Sequence, residues 1–245
     1  MNQDIPAQTI PQTIALHLLP GALITAFYFL IAPLVIRAGY PASMSLLLCI
    51  SFILIPFELG FLLYRGYQQN GRLSLENVVL YREPMPVWQY FVLVPLLLGW
   101  TAAAFILLSP LDDYLIRTFF TWFPAWSIPA TFLNSATQYS QSALLVTFLV
   151  ALVFNGIAGP VVEELYFRGY LLPRIPVARL WAPLINVVLF SLYHFFSPWQ
   201  NITRIVALIP LIYVVSWKRN LYLSILVHCL LNTLGVLLVL GALPW

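Results

Sequence analysis

The chain has 245 residues and a mean hydropathy of +0.92, with 62% hydrophobic and only 8% charged residues. So little polar surface excludes a soluble globule and predicts a polytopic membrane protein. The formal net charge of +3 is not gathered into a basic cluster, which argues against nucleic acid as a partner and leaves membrane lipids as the expected surroundings.

Seven apolar segments are long enough to form helices, because about 20 residues cross a hydrocarbon core of about 30 Å. In chain order they are Ile14–Ile36, Ser43–Tyr64, Val87–Ser109, Ala143–Leu172, Leu180–Phe196, Ile202–Trp217 and Leu221–Leu240. Their uniform apolarity favours helices over barrel strands, which alternate and are about half as long. The sequence therefore predicts an all-α membrane bundle of about seven to eight transmembrane helices.

The links between these segments predict an orientation. If successive links lie on opposite sides, one side carries seven basic residues and the other carries three. The first group is Arg65, Arg72, Arg82, Arg174, Arg179, Lys218 and Arg219, and the second is Arg37, Arg117 and Arg204. This bias predicts a cytoplasmic N-terminus and places the C-terminal Trp245 outside, in a protein of the cell membrane.

One link is rich in aromatic residues. It runs from Pro110 to Gln141 and includes Phe119, Phe120, Trp122, Phe123 and Trp126. Such a cluster is typical of the aromatic belt at a membrane interface.

The fourth segment contains three charges in the stretch GPVVEELYFRGYLL, which are Glu163, Glu164 and Arg168. On a helix Glu164 and Arg168 share one face, whereas Glu163 points about 100° away. Arg168 is thus expected to neutralise Glu164. An isolated carboxylate in hydrocarbon costs a few kcal/mol, so Glu163 needs another partner or a watery cavity. A purely structural ion-pair cluster is the less favoured alternative, because two acids face only one nearby base.

The late segments add polar residues at similar depth. Phe190 and His194 lie four residues apart, as do His228 and Asn232. A single buried histidine is more often a core residue than a catalyst. However, Glu163, His194, His228 and Asn232 all lie roughly 12 to 21 Å from the expected cytoplasmic ends of their helices. One cavity is therefore expected to collect all four.

Two polar residues of the early segments, His17 and Glu58, have no such matching groups in the sequence. They are expected to be structural or to face a pore.

The quoted residues form three motifs in a fixed order: EELYFR as EExxxR, FSLYH as FxxxH and HCLLN as HxxxN. This order resembles the CPBP family, also called Abi or CAAX-type intramembrane proteases, over roughly Ser142 to Gly235. The resemblance implies a catalytic helix bundle at 142–245 and a variable transmembrane region with interfacial linkers at 1–141. The family includes type II CAAX prenyl endopeptidases, which remove the last three residues of prenylated proteins, and bacterial members linked to bacteriocin maturation or immunity.

Peptide hydrolysis needs an activated water and a group that stabilises the oxyanion. Glu163, desolvated and without a base on its own face, is expected to be the general base, with His194 holding the water. His228 and Asn232 are expected to donate to the oxyanion. The resemblance implies the same roles, with supporting residues Glu164, Arg168 and Phe190.

Two other mechanisms were weighed against this one. Ser191 and Cys229 adjoin the histidines but face other sides of their helices, so neither is a good nucleophile. Glu163, His194 and His228 also form a possible ligand set for a catalytic zinc. No HExxH helix requires a metal, and an asparagine beside His228 suits an oxyanion better than zinc. A metal-free mechanism is therefore favoured, with zinc as the alternative.

Two other function classes stay open. A proton- or ion-coupled transporter also buries such charges, but it usually has broken helices in both halves, whereas here the polar motifs crowd into the second half. A non-catalytic immunity or scaffold protein is the other alternative. The expected substrate is a peptide or lipidated protein, either a prenylated C-terminal tripeptide or a leader or bacteriocin-type peptide. The sequence leaves the oligomeric state open.

Overall fold

The computed structural model describes residues 7–128 and 136–242. Within these ranges there are seven main helices, which we number in chain order. They are α1 (Ile10–Arg37), α2 (Ala42–Asn70), α3 (Val87–Phe119), α4 (Gln141–Arg174), α5 (Ala182–Tyr193), α6 (Pro198–Lys218) and α7 (Leu221–Gly241). Six are long and apolar enough to cross a membrane, and α5 is a shorter apolar helix. The predicted all-α membrane bundle is thus confirmed.

Several predicted helix ends differ from the structure, and α2, for example, ends at Asn70 instead of Tyr64. Helix α3 continues through Pro110 to Phe119, because proline is tolerated in membrane helices. Helix α5 ends at Tyr193, earlier than predicted, and its 12 residues rise only about 18 Å. The turn that follows α5 is stabilised by backbone hydrogen bonds from His194 to Ser191 (3.2 Å) and from Ser197 to His194 (2.9 Å).

Two helices contain π-helical stretches. Helix α2 is π-helical over Ile50–Leu59, where Pro56 lacks a backbone N–H. Helix α4 is π-helical over Phe154–Ala158 and again over Glu164–Leu171. Such stretches are frequent at functional sites, and the second one in α4 carries two of the three predicted charges.

The helix ends meet at one end of the bundle, which we call the basic end. It comprises the starts of α1, α3, α5 and α7, the ends of α2, α4 and α6, and the link 71–86. Its backbone hydrogen bonds are Gln8 to Arg174 (2.9 Å), Leu80 to Gly169 (2.8 Å), Glu83 to Arg219 (3.0 Å) and Leu221 to Tyr81 (2.7 Å). This arrangement agrees with links that alternate between two ends. The predicted position of Trp245 falls outside the described residues.

Helices α1 and α5 approach each other unusually closely. A Cβ atom built on Gly21 of α1 would lie 2.0 Å from the backbone oxygen of Tyr193. The glycine therefore permits a contact that any side chain would block. Beside it, Phe167 of α4 packs edge-on against Phe190 (4.8 Å between ring centroids) and Tyr193 (5.0 Å). This contact fixes the height of the end of α5 against α1 and α4.

The helices differ in the fraction of their residues that is buried in the bundle. The apolar window of α3 is 22% buried, against 44% for α6. Phe91 and Leu107 of α3 are 78% and 75% exposed, as expected for side chains that face lipid. Helix α3 is therefore a peripheral helix that packs mainly on α6, for example through a hydrogen bond from Trp100 Nε1 to the Val206 carbonyl (3.1 Å).

The aromatic link between α3 and α4 is divided between exterior and core. It begins after Phe119 rather than at Pro110, and Trp122 is exposed as predicted for an interface. Phe123 instead packs against Trp199 of the α5–α6 turn (5.2 Å between centroids), and Trp126 packs against Tyr28 of α1 (5.4 Å). The link thus also covers this end of the bundle.

Candidate active site

Helix α4 brings the three predicted charges into the bundle. Arg168 Nε lies 3.3 Å from Glu164 Oε2, and each side chain is only 1% exposed. The pairing predicted from their spacing is confirmed. The guanidinium also stacks 4.0 Å from the centre of the Phe190 ring. Phe190 therefore covers the charge that balances Glu164 and belongs to the same cluster.

His228 of α7 lies between the two glutamates. Its Nδ1 donates to Glu164 Oε1 at 2.9 Å, and its Nε2 is 3.8 Å from Glu163 Oε2. Glu163 was expected to need another partner or a watery cavity, and His228 on another helix is such a partner. A spacing rule sees only partners within one helix, so it misses this contact.

Asn232 lies one turn further along α7. Its amide Nδ2 donates to the Asn155 carbonyl at 3.0 Å. An amide nitrogen carries two hydrogens, so one N–H is left for another acceptor. The bond to Asn155, at the first π-helical stretch of α4, fixes the direction of the amide.

His194 follows the last residue of α5 instead of lying within a helix as predicted. Its Nδ1 is 2.8 Å from the Phe190 carbonyl, which accepts the hydrogen bond. With the proton on Nδ1, Nε2 keeps its lone pair in the neutral ring. The ring packs edge-on against Phe190 (4.9 Å) and Tyr193 (4.9 Å), so its orientation is set by the end of α5.

All four predicted catalytic residues line one cavity of about 380 Å³, together with Glu164, Arg168 and Phe190. The shared cavity expected from their depths is therefore present. Apolar residues of the early helices line the same space, namely Ile24, Tyr28, Leu46, Ile50, Leu54 and Phe105. The polar groups thus converge in a mainly apolar pocket, which is the usual form of a small-molecule or peptide site.

Residues 145–234 match the family model described as Type II CAAX prenyl endopeptidase Rce1-like. The match covers 90 of the 245 residues, and we call these residues, which are similar to that family, the Rce1-like segment. This match confirms the family resemblance inferred from the three motifs, and it supports a membrane peptidase in general terms. Neither a curated protein nor a solved structure matches the chain. The Rce1-like segment contains all seven predicted site residues, whereas α1, α2 and α3 lie outside it.

A buried carboxyl group from outside the Rce1-like segment contacts Tyr193, which lines the cavity. Glu58 of α2 is fully buried, and Tyr193 donates a hydrogen bond to its Oε1 at 3.0 Å. Tyr193 and Glu163 both line the cavity. The sequence predicts that Glu58 is structural or faces a pore, and its contact with Tyr193 agrees with a structural role. Its only signal in the sequence is a charge in an apolar helix, which does not identify its partner.

The sequence predicts that His17 is structural or faces a pore. Its Nδ1 donates to the Thr13 carbonyl (2.7 Å), and its Nε2 accepts from Asn186 of α5 (3.1 Å). His17 does not line the cavity. The bond joins α1 to α5, so the contacts agree with a structural role.

Glu163, His194 and His228 are the predicted ligands of the alternative zinc site. Among the described residues, no three or more His, Cys, Asp or Glu side chains are grouped closely enough to hold a metal ion. Metal dependence stays a prediction, and no step below is derived through a metal. The nucleophile candidates do not line the cavity. Ser191 donates instead to the Asn201 carbonyl (2.9 Å), and Cys229 faces the Ile157 carbonyl (3.9 Å).

Proposed function

We propose that this protein is an intramembrane endopeptidase that hydrolyses peptide bonds with a water molecule activated by Glu163. The observation that carries the proposal is the single cavity in which Glu163, His194, His228 and Asn232 meet. The Rce1-like match over residues 145–234 supports the reaction class.

Glu163 acts as the general base. It takes a proton from the water as the water oxygen adds to the scissile carbonyl, and it gives the proton to the leaving amine as the C–N bond breaks. His194 orients the water, because its free Nε2 accepts a second hydrogen bond from it. Its ring does not need to change protonation state during the reaction.

Asn232 and His228 stabilise the oxyanion. Asn232 donates through the N–H that is not bound to Asn155. His228 already donates from Nδ1 to Glu164, so it donates from Nε2 in its imidazolium form. Donors of this kind typically contribute about 100- to 1000-fold to turnover.

The remaining polar contacts hold these groups in place. Arg168 neutralises Glu164, and Glu164 in turn fixes the His228 ring. Tyr193 connects Glu58 to the cavity that Glu163 lines. The two acids of the motif thus have different tasks, with Glu164 positioning a histidine and Glu163 performing the chemistry.

We propose a hydrophobic or lipidated peptide as the substrate, in the first instance a prenylated chain that loses its C-terminal tripeptide. The apolar lining contributed by α1 and α2 supports this choice, since it suits an acyl or prenyl chain beside the polar centre.

The test uses the purified protein in lipid, incubated with prenylated and unprenylated peptides of the same sequence, with products identified by mass. We expect release of a tripeptide from the prenylated peptide and none with the Glu163→Gln variant. Cleavage of leader-type peptides alone would reassign the substrate. Absence of all cleavage, together with ion flux in liposomes, would support a transporter instead.

We also propose that the basic end faces the cytoplasm, as its basic residues favour. Single cysteines introduced at Arg179 and at Gly39, in a chain without Cys49 and Cys229, test this in intact cells. An impermeant reagent is expected to label only the cysteine at position 39. Labelling at both positions would contradict alternate crossing.

A further inference from the structure

Arg204 of α6 is a buried arginine without an acidic partner. It lines the cavity and is only 8% exposed. Its hydrogen-bond acceptors are all neutral oxygens: the Ser191 carbonyl (3.3 Å), Asn201 Oδ1 (3.4 Å), Ser197 Oγ (2.9 Å) and Gln200 Oε1 (3.3 Å). Among the ion pairs of the described residues, none includes Arg204, although Asp112 and Glu163 act on it at longer range.

Arg168 provides the contrast within the same cavity. It is buried as well, at 0% exposed, but has Glu164 at 3.3 Å. A buried charge is normally paired, because removing it from water is costly. Arg204 therefore has the one feature that Arg168 lacks, an unmatched positive charge that faces the cavity.

The guanidinium is held in place but not saturated. The 2.9 Å bond to Ser197 is short, whereas its other three contacts are 3.3 to 3.4 Å long. An incoming carboxylate accepts shorter, charge-assisted bonds of about 2.7 to 2.9 Å from the same N–H groups. Arginine suits this role because its fork binds both oxygens of a carboxylate.

The position of Arg204 relative to His194 determines how far a carboxylate bound to Arg204 lies from the reacting water. Two of its acceptors, Ser191 and Ser197, stand three residues before and three residues after His194. An anion on Arg204 is therefore within a short distance of the group that orients the water. Three residues of extended peptide reach at most about 10 Å.

The α5–α6 turn closes this end of the cavity. Trp199 of the turn is 1% exposed and packs against Phe120 (6.2 Å between centroids) and Phe123 (5.2 Å). A peptide that continued past Arg204 would meet these rings. A chain end fits here better than an acidic side chain in mid-chain.

We propose that Arg204 binds the free C-terminal carboxylate of the peptide, so that the protein selects chain ends a few residues beyond the scissile bond. This inference rests on the proposed endopeptidase function and names the group that sets its specificity. Glu163, His194, His228 and Asn232 act on the bond, and Arg204 fixes how far from the end that bond lies.

The test compares peptides of one sequence with a free C-terminal acid or a C-terminal amide. In the wild type we expect kcat/KM for the acid to exceed that for the amide by about 10- to 100-fold, the usual range for a hydrogen bond to a charged group. Arg204→Gln should lower kcat/KM for the acid by this factor and leave the amide nearly unchanged. Arg204→Lys should keep part of the preference.

Arg117→Gln is the matched control, since Arg117 lies at the same end of the bundle but is exposed. It should keep the full preference. Thermal inactivation of each variant establishes that it is folded. Equal rates for acid and amide in the wild type, or an equal loss for both in folded Arg204→Gln, would overturn the proposal.

Binding separates this inference from the proposed function. The tripeptide acid should bind the wild type more tightly than the tripeptide amide by the same factor, and Arg204→Gln should abolish the difference. Tighter binding of the acid without any cleavage would refute the peptidase and retain the carboxylate site. Cleavage of the acid and amide peptides at equal rates would support the peptidase and refute the carboxylate site. Competition by anionic lipid but not by the tripeptide acid would reassign Arg204 to a headgroup and overturn the proposal.

Discussion

Helix α4 and helices α1 and α2 contribute buried polar groups to the bundle in different ways. In α4 the ion pair joins residues four apart, Glu164 and Arg168. In α1 and α2 the partners are distant in the chain: His17 and Asn186 are 169 residues apart, and Glu58 and Tyr193 are 135 apart. Pairs within one helix can be inferred from spacing, whereas pairs between helices depend on packing that spacing does not encode.

The two sets of helices also have different expected roles. The α4 and α7 groups surround the expected chemistry, whereas the early helices support the end of α5. We therefore expect substitutions in α4 and α7 to have the larger effects, and those in α1 and α2 to act through Tyr193 and His194.

The largest effect on stability is expected at the buried ion pair. Glu164→Gln leaves Arg168 buried without its counter-charge and should destabilise the protein by about 3 to 5 kcal/mol. Arg168→Ala should do the same. The double variant should lose less than the sum of the two, since neither charge is left alone. Thermal inactivation in one detergent measures all three, and additive losses would show that the pair is not coupled.

The next effect concerns turnover in variants of His194, just after α5, and of two residues in α7. His194→Ala, His228→Ala and Asn232→Ala should each lower kcat by about 100- to 1000-fold on the folded fraction. His17→Ala is the control, because His17 is buried but does not line the cavity. His17→Ala should keep its turnover per folded molecule. A comparable loss for this variant would show that the active site has been assigned to the wrong residues.

Gly21→Ala tests the contact between α1 and α5. Its Cβ would lie 2.0 Å from the Tyr193 oxygen, so α5 must shift at a cost of about 1 to 3 kcal/mol. Gly99→Ala in α3 is the matched control, since nothing lies within 4 Å of that Cβ. It should be neutral or slightly stabilising. If the two variants are inactivated at the same temperature, the contact of α1 with α5 does not contribute to stability.

The smallest effect is expected at the bond between α2 and α5. Glu58→Gln and Tyr193→Phe should each lower kcat about tenfold with little change in KM, and the double variant should resemble either single one. Tyr90→Phe loses a hydrogen bond to Asn220 at the basic end and should keep normal kcat. Independent, multiplying losses for Glu58 and Tyr193 would show that they do not act as a unit.

Much of this arrangement could be predicted from the sequence. Apolar length predicted the helices, and i,i+4 spacing predicted the Glu164–Arg168 pair. Shared depth predicted that Glu163, His194, His228 and Asn232 meet. The end of α5 at Tyr193 could not be predicted, because the apolar pattern continues into Phe195 and Phe196 while the chain turns.

The partners of His228 were also hidden from the sequence. Its spacing to Asn232 suggested a pair of donors, but the rotation of α7 against the π-helical part of α4 directs Nδ1 to Glu164. The unmatched charge of Arg204 is equally invisible, since it follows from the closed turn between α5 and α6. Both features depend on how the helices pack against each other, which the sequence alone does not show.

The most direct test of the central claim compares Glu163→Gln with Glu164→Gln. Turnover of a prenylated peptide and thermal inactivation are measured on the same folded fraction of each protein. We predict that Glu163→Gln loses detectable cleavage while keeping wild-type stability, whereas folded Glu164→Gln is less stable but still cleaves. If Glu163→Gln retains turnover while folded Glu164→Gln has none, Glu164 is the base and the assignment of the two acids is reversed.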